Sequence, residues 1–250
     1  MKPQTEKETE PMTRTISTKT TLGQLVAEDP ARAGILEILG LDYYCGGSKT
    51  LAEACREKGL DPEKVRRTLG NGNGRGSATY PAPADMSLTE LAEHIVAVHH
   101  AYLHETLPAL TSMAEKVART HGDRDERLHE VEQVIREMTH ELKSHLLKEE
   151  RVLFPAIRRL DAGQPLQGFA CGALSSPISV MEMEHRQAGQ TIKQLRALTD
   201  DYAVPEWACN TYKGLIRELE RLEWDTYQHI HKEDNILFPK TLKKESACSR

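Results

Sequence analysis

Histidine followed four residues later by glutamate occurs twice in this sequence inside the same eleven-residue setting. His145-Leu-Leu-Lys-Glu149-Glu150-Arg-Val-Leu-Phe154-Pro155 returns as His229-Ile-His-Lys-Glu233-Asp234-Asn-Ile-Leu-Phe238-Pro239, with both acids and Leu-Phe-Pro in register. On an α-helix residues i and i+4 stand one above the other, so each copy presents an imidazole and a carboxylate together. A single such pair is commonly a surface pair worth little. Here Met138, Leu142 and Val152 share the face of His145, and Leu222, Thr226 and Ile236 share that of His229. A carboxylate on such an apolar stripe costs several kcal/mol unless it meets a cation or a partner. Two facing helices of this kind offer two His-Glu pairs to one interior point, the makings of a dinuclear metal site.

A site inside a helical bundle draws on all its helices. The third helical segment has one histidine, His185, between Met181 and Ala188 on the apolar face. In the first segment His94, His99, His100 and His104 compete. His100 has Val96, Ala97, Leu103 and Leu107 on its side and is best placed; His104, one turn on, is its rival, while His94 and His99 point elsewhere, either solvated or one step outside the ligands. His121, His129, His140 and His231 carry no comparable pattern. Four imidazoles and two carboxylates without thiolate select iron or manganese over zinc. If Glu149 and Glu233 both bridge, each metal takes two histidines and two carboxylate oxygens. An oxo or hydroxo bridge makes five, leaving one position per metal for a small molecule. Glu141, one turn before His145, and Glu184, beside His185, are candidates to orient ligands or carry protons, with a solvated surface role as the alternative for each. Glu150 and Asp234, turned by roughly 100° from the preceding residue, read as parts of a solvated face.

The elements that must position these residues are helical. Aromatic residues are 5% of the 250, and Gly and Pro fall between long Leu/Ala/Glu/Lys/Arg segments, a composition dominated by helix. Residues 1–20 read as a disordered tail and 21–70 as a small module of short helices, with Asp29-Pro30, Thr50 and Asp61-Pro62 as helix starts and Gly40 as a stop. The Gly- and Pro-rich stretch 71–86 reads as a flexible linker. Four long helices fill 87–243: one capped by Ser87 with Glu90 and bent at Pro108, a second from near Asp123 to Arg159, a third from Ser176-Pro177 and a fourth from Pro205. They form an up-and-down all-α four-helix bundle, followed by a short tail, 244–250.

The net charge of −5 excludes the basic footprint of a nucleic-acid partner. No apolar run reaches the ~18 residues a membrane span needs, and the polar first residues lack the core of a signal peptide. Five scattered cysteines, Cys45, Cys55, Cys171, Cys209 and Cys248, form no CxxC pair, which fits a reducing cytoplasm rather than a disulfide framework.

The twin stretch, Ile178-Ser-Val-Met-Glu-Met-Glu-His185 and the amino-terminal Leu41-Asp-Tyr-Tyr-Cys-Gly-Gly47 together resemble the hemerythrin-like HHE superfamily, and more closely its repair-of-iron-centres (RIC) di-iron proteins. The resemblance spans nearly the whole chain from Thr21. It implies terminal ligands at His100, His145, His185 and His229 and bridging carboxylates at Glu149 and Glu233, and so favours His100 over His104, which joins Glu141 and Glu184 as a candidate one step outside the ligands. It also implies a cofactor of two non-haem iron ions, with manganese second. The function implied is repair of iron-sulfur clusters damaged by nitric oxide or oxidants, as an iron donor or nitric oxide scavenger acting on damaged iron-sulfur proteins. The alternatives are an oxygen or nitric oxide carrier or sensor, and a nitric oxide or peroxide reductase. The family places two adjacent cysteines before Gly-Gly, whereas this chain has Tyr44 and then Cys45. Cys45 is thus a candidate single-thiol site, with a small buried residue at a glycine turn as its alternative. Cys55 reads as core.

Overall fold

The computed structural model describes residues 16–71, 83–166 and 174–248. The expected tail up to residue 15, most of the expected linker and Cys171 lie outside the described residues. Among these, regular structure is helical apart from one isolated antiparallel bridge between Thr21 and Thr50.

Four short helices, α1 (Leu22–Glu28), α2 (Arg32–Ile38), α3 (Leu51–Glu57) and α4 (Pro62–Asn71), form the amino-terminal module. Capping boxes start α1 and α3: the hydroxyls of Thr21 and Thr50 accept from the amides of Gln24 and Glu53, whose side chains accept from the cap amides in return. These bonds satisfy helix-end donors that would otherwise face nothing. Asp29 does not cap α2 directly; its carboxylate takes the Ala31 amide and the helix begins at Arg32. Residues 16–20, expected to be tail, belong to the module. Ile16 packs in its core, and the carbonyls of Thr18 and Thr20 accept from Ala52 and Leu51.

The bundle has four arms. The first is α5 (Leu88–Ile95), a π turn (Val96–His100) and α6 (Ala101–His121). The second is α7 (Arg127–Lys148), a π turn (Glu149–Leu153) and α8 (Phe154–Asp161). The third is α9 (Ser175–Leu198). The fourth is α10 (Asn210–Lys232), a π turn (Glu233–Leu237) and α11 (Phe238–Cys248). Helices α6, α7, α9 and α10 pack in a ring, each against the next, while α5, α8 and α11 gather at the far end.

Three expected boundaries move. Pro108 interrupts nothing: it lies on the exposed face within α6, where water can serve the carbonyl it frees. The fourth helix begins at Asn210 rather than Pro205, because Asp200, Asp201 and Tyr202 take left-handed backbone and Pro205–Ala208 close a turn. The last helix continues through 244–248 instead of fraying into a tail.

Buried apolar residues form two clusters. The larger joins the module to the ring of long helices, through residues such as Leu22, Tyr43, Leu103, Leu142 and Tyr227. The smaller fills the far end with Leu91, Ile95, Leu153, Phe154, Ile178, Leu237 and Phe238. Between them lies a layer of buried histidine and glutamate.

The far end is tied by Asp161, whose carboxylate accepts from the amide and hydroxyl of Thr89 and from the Lys244 ammonium. Burial alone would raise the Asp161 carboxyl, but Lys244 and the Thr89 amide hold it below its ordinary value. A depressed carboxylate stabilises the fold above its unfolded pKa and loses that contribution as pH falls through its folded one. Asp161→Asn is therefore expected to cost about 1 kcal/mol near pH 7, and the deficit should shrink below about pH 4. Denaturant titrations at the two pH values check this, and an equal deficit at both excludes it.

Candidate metal centre

Each π turn closes with a bond that reaches back five residues: Ala101 N–H to the Val96 carbonyl, Phe154 N–H to Glu149 and Phe238 N–H to Glu233. The extra residue widens the turn and re-aims side chains on either side of it. All three turns lie in the polar layer, one at His100 and the others at Glu149 and Glu233.

His100, His145, Glu149, His185, His229 and Glu233 meet there, each at most 3% exposed. His100 Nε2 is 3.4 Å and His145 Nε2 3.3 Å from Glu149 Oε2. His185 Nε2 is 3.0 Å from Glu233 Oε2, and His229 Nε2 is 3.0 Å from Glu233 Oε1. The donor atoms fall into two groups, His100, Glu149, His229, Glu233 and His145, Glu149, His185, Glu233, each within 4.8 Å of one another. Both carboxylates belong to both groups. Glu233 offers one oxygen toward a histidine of each group, and the single Glu149 oxygen lies between histidines of the two.

Six buried polar groups this close need a neutraliser. Yet His100 Nε2, His229 Nε2 and both oxygens of Glu149 and Glu233 have no hydrogen-bond partner, which for buried carboxylates is costly. Burial works against charge on Glu233, but the imidazoles of His229 and His185 hold its carboxyl well below the usual range. Unpartnered lone pairs converging from nitrogen and oxygen on two adjacent points are the donor arrangement a pair of cations requires.

The outward ring nitrogens are also held. His100 Nδ1 is 2.9 Å from Glu150 Oε1, His145 Nδ1 is 2.9 Å from Glu184 Oε2 and His185 Nδ1 is 2.7 Å from Asp234 Oδ1. A carboxylate can only accept, so the proton sits on Nδ1 and the Nε2 lone pair faces the centre. Glu184, expected near the ligands, meets His145 and also pairs with Lys148. Glu141 does not take part: it is exposed, on a face that the π turn does not re-aim. His104 is half-exposed and bonds only Glu150, one step outside the six residues. The reading of Glu150 and Asp234 as solvated is overturned, because the π turns swing both onto histidines of neighbouring arms.

Sequence reasoning missed a second buried set beside the first. His99, expected to be solvated or one step outside the ligands, takes the second place: it lies 2% exposed and stacks parallel to His229 with ring centroids 5.6 Å apart. Its Nδ1 meets Asp225 at 2.8 Å and its Nε2 meets Lys232 Nζ at 2.6 Å. Burial lowers His99 to about 4 and Lys232 to about 8. The available signal was Asp225, one turn before His229 on the same helix face. Cys45 is half-buried, its Sγ 3.7 Å from the His185 carbonyl. Burial first, then Asp42 and Asp234, push its thiol up to about 12, so it is a neutral thiol beside the centre and outside both donor groups. Cys55 is buried in the module core.

An all-α bundle with such a layer of histidine and carboxylate defines a cation-binding helical domain. Residues 91–241 match the hemerythrin HHE cation binding domain, and residues 18–72 match a domain of unknown function, DUF542. The chain belongs to the hemerythrin HHE cation binding family. It is 35% identical to the iron-sulfur cluster repair protein YtfE of Pectobacterium carotovorum over 228 residues, 90% of this chain and 97% of that protein. It is 34% identical to the proteins of that name from Escherichia coli O157:H7 and Shigella boydii serotype 4, over 90% of this chain and 97% of each.

Proposed function

We propose that this chain is a non-haem di-iron protein that repairs iron-sulfur clusters damaged by nitrosative or oxidative stress in the cytoplasm. The carrying observation is the pair of four-residue donor groups that share Glu149 and Glu233, with their buried atoms unpartnered. One iron would be held by His100 and His229 and the other by His145 and His185, with both carboxylates common to the two. Two nitrogens and two oxygens per ion suit iron better than a closed zinc site. When bound, the pair supplies coordination positions for small molecules such as nitric oxide and a store of iron that can be given up.

The chain's own residues set the terms of that chemistry. Glu150, Glu184 and Asp234 fix the tautomers of three histidines, and the apolar cluster around Phe154 and Phe238 keeps bulk water from that side of the layer. The names and extent of the relatives support cluster repair, with damaged iron-sulfur proteins as the partners. Among the described residues no helix is long and apolar enough to cross a membrane.

Anaerobically purified protein is expected to hold two irons per chain and to restore activity to an iron-sulfur enzyme inactivated by nitric oxide. Metal analysis and a reactivation assay check both. A single zinc per chain would refute the site. Failure to reactivate, with nitrous oxide formed over many turnovers, would replace repair by nitric oxide reduction.

A further inference from the structure

The two copies of the eleven-residue stretch differ in what lies outside their π turns. In the first copy the residue two beyond the shared glutamate is Arg151, which is exposed. In the second it is Asn235, which is half-buried under the amino-terminal module. Asn235 Nδ2 donates to the carbonyls of Tyr44, at 2.9 Å, and Tyr43, at 3.3 Å. Its amide lies in a slot between two module glycines: a Cβ on Gly23 would come within 2.4 Å of Asn235 Oδ1, and one on Gly47 within 2.1 Å. Helix α1, which carries Gly23, packs directly on the Glu233–Leu237 turn. The second glycine of Cys-Gly-Gly thus admits this side chain.

A π turn has poorer hydrogen bonding than the α-helix around it and persists where its surroundings over-determine it. In the second turn those surroundings include the module. Glu233 and Asp234 immediately precede Asn235; one belongs to both donor groups and the other holds His185. We infer that Asn235 is a positioning residue through which the amino-terminal module holds the Glu233–Leu237 turn in its cation-binding shape. The module is on this view a clamp on one half of the centre, and the other half, with Arg151 toward solvent, has none. The inference rests on the assignment of the six residues to the iron pair made above.

The test uses the full-length iron-loaded protein, a strong chelator and absorption spectra. Asn235→Asp keeps the shape but turns an oxygen toward two carbonyls and donates nothing. Gly23→Ala keeps Asn235 and suits helix α1, yet pushes the amide out of its slot, so it decides the matter should the aspartate variant not fold. Thr50→Ala is the control, because it breaks the capping box of α3 within the module, bonds between Thr50 and Glu53 that involve no residue of the turn. Asn235→Asp and Gly23→Ala should release iron roughly tenfold faster or more and shift the absorption bands, while Thr50→Ala keeps wild-type release and spectrum. Wild-type release and spectrum in the first two, or an equal change in the control, would overturn the inference. A wild-type protein that holds no iron would instead defeat the site assignment on which it rests.

Discussion

Glu233→Leu is expected to hold no iron pair while largely keeping its helix content. Glu233 is fully buried, donates to both groups of the centre and leaves both its oxygens without hydrogen-bond partners. Leucine is of similar volume, has no lone pair to give and needs no neutraliser. Each cation position would keep two imidazoles and Glu149 alone, too few donors for an iron with open positions. The bundle is set by helix caps and apolar stripes that the substitution leaves in place, so helix content should stay near wild type. Metal analysis and circular dichroism in the presence of chelator read the two effects separately. Unchanged iron content would show that Glu233 is no ligand. Lost iron together with lost helix content would show that the carboxylate is needed for the fold itself.

How much of this was legible beforehand follows from which features are periodic. The i,i+4 rule is local, so His145-Glu149 and His229-Glu233 could be read directly, and the apolar stripes around them placed four helices in a bundle. The capping boxes at Ser87 and Thr50 were equally readable, because each involves residues three apart. The π turns were not, since a single extra residue leaves the apolar pattern intact on both sides. That one residue changed the outcome for Glu150 and Asp234, which the 100° rule turns toward solvent and the wider turn brings to His100 and His185. Their recurrence in both copies was a sign that position mattered. The His99–Asp225–Lys232 set joins residues over a hundred positions apart, and no local pattern announces such a contact. The module's docking is of the same kind. Leu41–Gly47 is recognisable as a motif, but that its carbonyls serve an asparagine nearly two hundred residues on is a fact of tertiary packing.

Phe238→Ala is expected to cause the largest loss of stability among single substitutions near the centre. In the twin stretch the phenylalanines follow the π turns, and both rings are fully buried. Phe238 lies parallel to His185, within 3° and with centroids 6.0 Å apart; Phe154 lies against His100 at 5.5 Å. Each ring thus fills the far-end core and lies against the face of an imidazole. Truncation of a buried phenylalanine costs about 3–5 kcal/mol through lost transfer energy and the cavity left behind, or roughly 6–20 °C in Tm. Phe238→Leu refills most of that volume and should cost about 1.5 kcal/mol or less, so the pair separates packing from the ring's contact with His185. Where Asp234 alone suffices to orient His185, Phe238→Leu will keep wild-type iron content. Where the ring shares that task, the leucine variant will release iron faster at nearly unchanged stability. A Phe238→Ala protein that melts within a degree or two of wild type would mean that the far-end cluster closes around the gap, and that the Leu-Phe-Pro signature is needed for something other than packing.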